Sequence, residues 1–231
     1  MSSATPHTIV LAGASRGLGL GLAREFLRRG HDVIATARTP ESAGGLLELH
    51  RSHAERLTIH TLDIADPASI AALPRKLEGR RLDTLFVVAG MNSQRDTLLQ
   101  DMAPEAIALE FITNATAPIV LAETLLPMMS ERGTVAFMTS ILGSIASNAG
   151  GGMDVYRASK AALNMLGANF ALRHKSRPVL LLHPGWVRTD MGGSNAPLDV
   201  QTSASGLADQ IEHTTKPGIA YLDYQGQKLP W

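Results

Sequence analysis

The sequence predicts a single α/β domain over residues 1–231, a doubly wound, mostly parallel sheet of seven strands with helices on both faces. Three observations predict it. Short β-rich apolar runs alternate with helically spaced segments along the whole chain, the pattern of a parallel sheet wound by crossover helices. The runs are apolar throughout, as in Leu85-Phe-Val-Val-Ala89, which suits strands covered on both faces. A glycine-rich turn joins the first run to the first helical segment.

Thr8–Ala12 reads as the first strand, stopped by Gly13. Leu18 to Arg29 follows as a helix, with Leu18, Leu22, Phe26 and Leu27 at helical spacing and Gly30 just past its end. Asp32–Ala37 is the second strand. Pro40 opens a helix to about Ser52, since proline suits the first helical turn. Leu57–Leu62 is the third strand, closed by Asp63, and Pro67 starts a helix to about Leu77. Leu82–Ala89 is the fourth strand. A long helix from about Pro104 to Met129 is expected to kink near Pro118, where a backbone hydrogen bond is lost. Gly133–Thr139 is the fifth strand, Ser144–Met153 a loop, Val155–His174 a helix and Pro178–Leu182 the sixth strand. Gly185–Leu198 reads as loop, and a helix at about Val200–His213 and a strand at Gly218–Leu222 complete the order. No repeat, low-complexity tract or clear linker divides the chain.

Composition narrows the function. Lys+Arg and Asp+Glu both number 21, so the formal net charge is zero and a generally basic nucleic-acid binder is not indicated. There are no cysteines, which removes disulfides, thiolate nucleophiles and Cys-bound zinc, and fits a reducing compartment. Residues Met1 to His7 carry no basic leader, and no run reaches the ~20 apolar residues of a membrane span. A cytoplasmic protein without membrane or nucleic-acid partners is expected. His50 and His53, three apart near Glu48, suit a solvated helix face better than a metal site, so no metal is expected.

The turn Leu11-Ala-Gly-Ala-Ser-Arg-Gly-Leu-Gly19 spaces Gly13, Gly17 and Gly19 as G-x-x-x-G-x-G. An ordinary tight turn also uses glycine. Here the glycines follow the first strand and open the first helix, where backbone can approach a pyrophosphate at a helix N-terminus. The second strand ends in Ala37-Arg38 with no acid, and Arg16 lies in the turn. An acid there would bond a ribose 2′-hydroxyl, whereas arginines suit a 2′-phosphate. NADP(H) is therefore favoured over NAD(H).

Tyr156-Arg-Ala-Ser-Lys160 puts a tyrosine and a lysine on one helix face. Together with the glycine turn, Asp63 after the third strand, Ala89-Gly90 after the fourth, Asn114, Ser140, and Pro184-Gly185 followed by Thr189, this order resembles the short-chain dehydrogenase/reductase family over essentially the whole chain. The segments YRASKAALN (Tyr156–Asn164), HPGWVRTDMGG (His183–Gly193) and GQKLPW (Gly226–Trp231) look most like sniffer-like carbonyl reductases and bacterial C-factor (C-signal) proteins.

The resemblance implies a Rossmann fold, a nicotinamide cofactor and hydride transfer to or from a small carbonyl or alcohol substrate. It implies Tyr156 as general acid/base, with Lys160 and the positive charge of the oxidised nicotinamide lowering its pKa from about 10. Ser140 would bond the substrate oxygen, and Asn114 would interrupt its helix and hold a relay water. The cofactor would be held by Gly13, Ser15, Arg16, Gly17, Leu18 and Gly19, by Arg38, Asp63 and Ile64, by Ala89 and Gly90, by Tyr156 and Lys160, and by Pro184, Gly185, Val187 and Thr189. Relatives commonly form homodimers through the two long helices, so a homodimer is possible, as is a monomer. Val87-Val88 stands where the family usually has an asparagine pair, and Ala12 where many members have threonine. Ser140 lies 16 residues before Tyr156, which reads as an insertion at Asn148–Gly152. The short stretch after Met191 predicts an open site. The C-factor likeness leaves a second reading open, a nucleotide-binding signalling protein with little turnover.

Overall fold

The computed structural model describes residues 6–231, and residues 1–5, where the stretch without a basic leader begins, lie outside them. Seven strands form one sheet in the order β3-β2-β1-β4-β5-β6-β7. They are β1 (Thr8–Ala12), β2 (Asp32–Ala37), β3 (Leu57–Thr61), β4 (Leu82–Val87), β5 (Met129–Met138), β6 (Pro178–His183) and β7 (Gly218–Asp223). Every pairing is parallel, so the expected mostly parallel sheet is wholly so among the described residues. The chain winds outward from β1 to β3, then crosses back to place β4 on the other side of β1. Helices leaving β1 and β4 part at that reversal and open a crevice at the strands' carboxyl ends.

The two-residue alternation of each strand sends side chains to two cores. Val10, Leu85, Val135 and Leu181 pack under α3 (Pro67–Lys76), α5 (Ala117–Leu125) and α6 (Asp154–Arg173). Ile9, Leu11, Phe86 and Leu180 pack under α1 (Gly17–Arg28), α2 (Gly44–Ser52) and α7 (Val200–His213). Four phenylalanines, Phe26, Phe86, Phe137 and Phe170, are fully buried, so the few aromatics are spent on the core.

Four expected elements differ in form, one of them the fifth strand, which runs Met129–Met138 rather than Gly133–Thr139 because Met129 already pairs with Leu82. The helix predicted over Pro40–Ser52 is a 3-10 turn, Pro40–Ser42, separated from α2 by a non-helical Ala43 whose methyl enters the core. The long helix is α4 (Pro104–Phe111), a π turn over Ile112–Thr116, α5, and a 3-10 turn over Leu126–Met128. Its irregularity falls just before Pro118, over the turn that holds Asn114, the residue whose carbonyl Pro118 cannot serve. The fourth strand ends at Val87 rather than Ala89, since the amides of Val88 and Ala89 both turn to the single carbonyl of Ala12. The stretch Pro104–Met128 is long and apolar enough to cross a membrane by length and composition, yet α5 within it packs on the sheet.

A buried acid joins α1 to α7. The Glu25 carboxylate has no exposure, and it accepts hydrogen bonds from Arg28 (2.9 and 2.7 Å), Arg29 (2.8 Å) and Gln201 (2.9 Å). Arg29 also reaches Asp209 and Glu212 on α7. These donors, Arg28 foremost, hold the Glu25 pKa down to about 2 from an ordinary 4.5. Glu25→Gln leaves the arginines with a weaker acceptor and is expected to lower stability by about 2–3 kcal/mol in urea unfolding at pH 7. The folded pKa lies below the unfolded one, so this stabilisation is complete above pH 4.5 and fades as pH falls toward 2. The wild-type and Gln proteins should therefore converge in stability across that window.

Candidate active site

The crevice at the sheet reversal is a cleft of about 690 Å³. It is walled by the β1–α1 turn, Arg38, Tyr156 and Lys160, and by the segment after β6, which reaches the turn through the Arg16–Asp190 ion pair. Of the predicted residues, Gly13, Ser15, Arg16, Gly17, Leu18, Gly19, Arg38, Asp63, Ile64, Ala89, Gly90, Tyr156, Lys160, Pro184 and Thr189 line it. Asn114, Ser140, Gly185 and Val187 do not. Asn114 and Ser140 are buried just behind the wall, and the Val187 side chain is turned inward. Gly185, at a φ of 83°, packs against Leu198 and Tyr224.

The glycine turn serves the protein's own packing as well as any ligand. A Cβ on Gly19 would sit 2.0 Å from the Gly13 carbonyl oxygen, and one on Gly13 would meet Ala89 at 2.8 Å. Only glycine lets α1 start this close to the end of β1 and lets the turn lie against the chain leaving β4. Thr36 then pins the turn, its hydroxyl accepting from the Gly13 amide at 3.1 Å and its carbonyl from Ala14 at 2.8 Å. This bracing comes from β2, and Val87 packs as an apolar core residue where the family's amide pair would stand. No side chain caps the first turn of α1, so its amides face the cleft with the positive end of the helix behind them. The cleft, this uncapped helix start and two nearby arginines fit a dinucleotide phosphate.

At the other end Asn114 organises the site. Its side-chain oxygen accepts from the Met91 amide, and its nitrogen donates to the Met91 carbonyl, both at 2.8 Å. The same nitrogen donates to Ser159 Oγ at 3.0 Å, and that hydroxyl donates to the Tyr156 carbonyl at 2.8 Å. The amide is thus fully used in bracing. Pro118 has no N–H, so the Asn114 main-chain carbonyl lacks its ordinary helical donor one turn on. The π turn that contains Asn114 accommodates this break.

Tyr156 and Lys160 sit one turn apart on α6, with Lys160 Nζ 5.7 Å from the centre of the Tyr156 ring. The ammonium donates to the Met138 carbonyl at 2.9 Å. Burial presses its pKa down from 10.5 to about 8, against the pull of Glu110. Burial also dominates the phenol, pushing Tyr156 up to about 12, while a hydrogen bond to Ser140 works the other way and Glu110 and Tyr221 add to the rise. The expected lowering joins Lys160 to the positive charge of an oxidised nicotinamide; within the chain itself, burial of the phenol is the largest influence. Tyr156 is a protonated phenol through the neutral range, the form that donates a proton.

Ser140 follows β5, and its hydroxyl accepts from the Leu142 amide at 3.1 Å. Asn164, one turn beyond Lys160, accepts from the Thr139 hydroxyl at 2.7 Å and donates to the Gly143 carbonyl at 3.4 Å. Sequence reasoning missed Thr36, Glu110, Ser159, Asn164 and Tyr221. Ser159 and Asn164 lay within segments already singled out, and their signal was a polar residue on the buried face of a helix. Asp63 spends one carboxylate oxygen on the Ala65 amide at 2.9 Å. Among the described residues no His, Asp or Glu cluster forms a metal cage, and His50 is bonded to the Leu57 carbonyl at 2.8 Å.

Comparison with known proteins agrees with this architecture. The family model described as short chain dehydrogenase matches residues 7–198. The carbonyl reductase of Pseudomonas aeruginosa PAO1, solved in complex with NADP, is 41% identical with a TM-score of 0.91, covering 98% of this chain and 100% of that one. Carbonyl reductase Sniffer of Drosophila melanogaster is 31% identical with a TM-score of 0.92, covering 98% of this chain and 100% of that one. C-signal of Myxococcus xanthus is 39% identical over 142 residues, 58% of this chain and 83% of that protein. The chain belongs to the short-chain dehydrogenase/reductase family, as its glycine turn, Tyr156 and Lys160 had suggested.

Proposed function

We propose that this protein is an NADP(H)-dependent carbonyl reductase in which Tyr156 is the general acid. The observation that carries the reading is the convergence of a protonated phenol and a buried ammonium in the cleft wall with the Ser140 hydroxyl beside the phenol. The NADP-bound carbonyl reductase of P. aeruginosa supports both the cofactor and the reaction class. A smaller recess of about 260 Å³ beside the glycine turn is lined by Ser15, Arg16, Arg38, Thr39 and Ser42 and by no acid. That composition suits a 2′-phosphate. Arg16 is ion-paired with Asp190 at 2.5 Å, which makes Arg38 the principal cation for the phosphate.

NADPH bound along the cleft supplies the hydride. The chain's own residues manage the oxygen and its proton. Ser140 Oγ accepts from Leu142, so its single proton is available to the carbonyl oxygen as negative charge builds there. Tyr156 Oη delivers a proton to the same oxygen. The Lys160 ammonium steadies the phenolate left behind. The Asn114 carbonyl, freed by Pro118, holds the water through which that proton is replaced. Met91, Leu109 and Met191 give the cleft an apolar wall, so the substrate is a small or medium apolar aldehyde, ketone or quinone. The segment after β6 is short and pinned, with the Trp186 indole N–H donating to the Gly192 carbonyl at 2.8 Å and no helix before α7. Such a site selects weakly among carbonyl compounds.

NADPH oxidation against a panel of aldehydes, ketones and quinones tests the reading. Tyr156→Phe should lower kcat by roughly 100-fold or more while NADPH binding persists. Full turnover by that variant would remove Tyr156 from the chemistry, and a wild-type protein that binds nucleotide without reducing any panel member would favour the signalling reading. Lys160 loses its charge as pH rises through about 8, so kcat for reduction should decline on that limb. Arg38→Ala should raise KM for NADPH about 10-fold and leave KM for NADH unchanged, because a charge-assisted contact contributes about 1.5–3 kcal/mol.

A further inference from the structure

Tyr221 lies on β7, two strands away from the end of β5 that carries Ser140. It is 3% exposed, and its hydroxyl donates to the Ser140 carbonyl at 2.6 Å in a buried hydrogen bond. The same carbonyl accepts from the Gly143 amide at 2.9 Å. Ser140 is therefore held at three points. Two donors grip its carbonyl, and the Leu142 amide occupies one lone pair of its hydroxyl. A hydroxyl has one proton and two lone pairs, so Oγ keeps its proton to donate while Leu142 fixes its position.

The tyrosine is itself backed by an aromatic ring. Trp231 stacks on Tyr221 with centroids 5.4 Å apart and an interplanar angle of 43°. The Trp231 carbonyl accepts from the Ala146 amide at 3.0 Å and from the Ser144 hydroxyl at 3.3 Å. The Leu229 amide also donates to the Tyr221 carbonyl at 2.9 Å. The segment from Leu229 to Trp231 is thereby fastened both to β7 and to the loop that begins at Ser140.

We propose that Tyr221 is a positioning residue for the reduction, its hydroxyl fixing the Ser140 main chain so that Ser140 Oγ points at the substrate oxygen, with the Trp231 ring holding Tyr221 in place. A buried tyrosine always seeks a partner for its hydroxyl, and a purely structural role would be met by any carbonyl. Here the partner is the main chain of the one serine in the reacting set. Placement within about 1 Å decides rates on the order of 100-fold, so a single bond at that carbonyl matters to turnover. The proposal rests on the carbonyl reductase reading for its kinetic expression, although not for its geometry.

Tyr221→Phe keeps the ring and removes only the hydroxyl. It should lower kcat about 10-fold, with NADPH affinity by fluorescence titration unchanged. In a Ser140→Ala background the same substitution should have no further effect on kcat. Equal losses in both backgrounds, or an undiminished kcat in the single variant, would overturn the proposal. Trp231→Ala should reproduce part of the loss and Trp231→Phe should restore it, whereas a simple loss of packing would show as a lower Tm at unchanged kcat. A crystal structure of Tyr221→Phe gives a readout independent of turnover. Ser140 Oγ is expected to shift by about 1 Å, and an unmoved Ser140 overturns the proposal. A wild-type protein inactive on the whole panel would instead overturn the carbonyl reductase reading and leave the crystallographic result to decide this one.

Discussion

The paired hydrogen bonds between the Asn114 amide and the Met91 backbone are the constraint on which the site depends. They tie the middle of a 25-residue helical stretch to the chain leaving β4. Through Ser159 they continue to the backbone of Tyr156, so one side chain sets the spacing between the cleft floor and α6. The helix gives way around this contact. Its π turn is the local distortion that lets a side chain one residue out of phase reach a loop, and Pro118 restarts the regular helix immediately after it. The buried amide makes three hydrogen bonds in place of those it would make to water, which removes the penalty for its burial.

Much of the fold is legible in the sequence because it is written in local terms. Strands that are apolar on both faces, prolines opening helices and Gly30 closing one are short-range signals, and the sheet that follows from them is the one observed. The helix irregularity near Pro118 shows where such reasoning stops. Proline announces a broken hydrogen bond from the sequence alone, whereas the contact between Asn114 and Met91 spans 23 residues and has no local signature. The same holds for Thr36, whose hydroxyl takes up bracing 23 residues from Gly13, and for Tyr221, 81 residues from Ser140.

The glycine turn and the Tyr156–Lys160 pair were legible as a pattern, but their physics was only half so. Glycine was expected for the sake of a ligand, and the Cβ distances make it equally a demand of the protein's own packing, Gly19 against the end of β1 and Gly13 against Ala89. Lysine was expected to draw the tyrosine toward phenolate. Burial acts on both groups at once, raising the phenol's pKa and lowering the ammonium's, and spacing gives no sign of it. Spacing reveals which residues meet, and the water excluded around them is a property of the assembled cleft.

The exposed run Asn148–Gly152 has a consequence for how this architecture tolerates change. A Cβ at Gly150, Gly151 or Gly152 would meet no atom within 4 Å. Ser140 and Tyr156, on either side, are anchored by separate structures, one by β5 and β7, the other by α6 and Asn114. The tether between them has its own fastenings, Ser144 and Ala146 to Trp231 and the Gly152 carbonyl to Arg157 at 2.8 Å. Lengthening it at the exposed glycines costs chain entropy that grows by only about 0.6 kcal/mol for each doubling of length. The loop can therefore gain residues there while β5, β7 and α6 keep the two reacting groups in place.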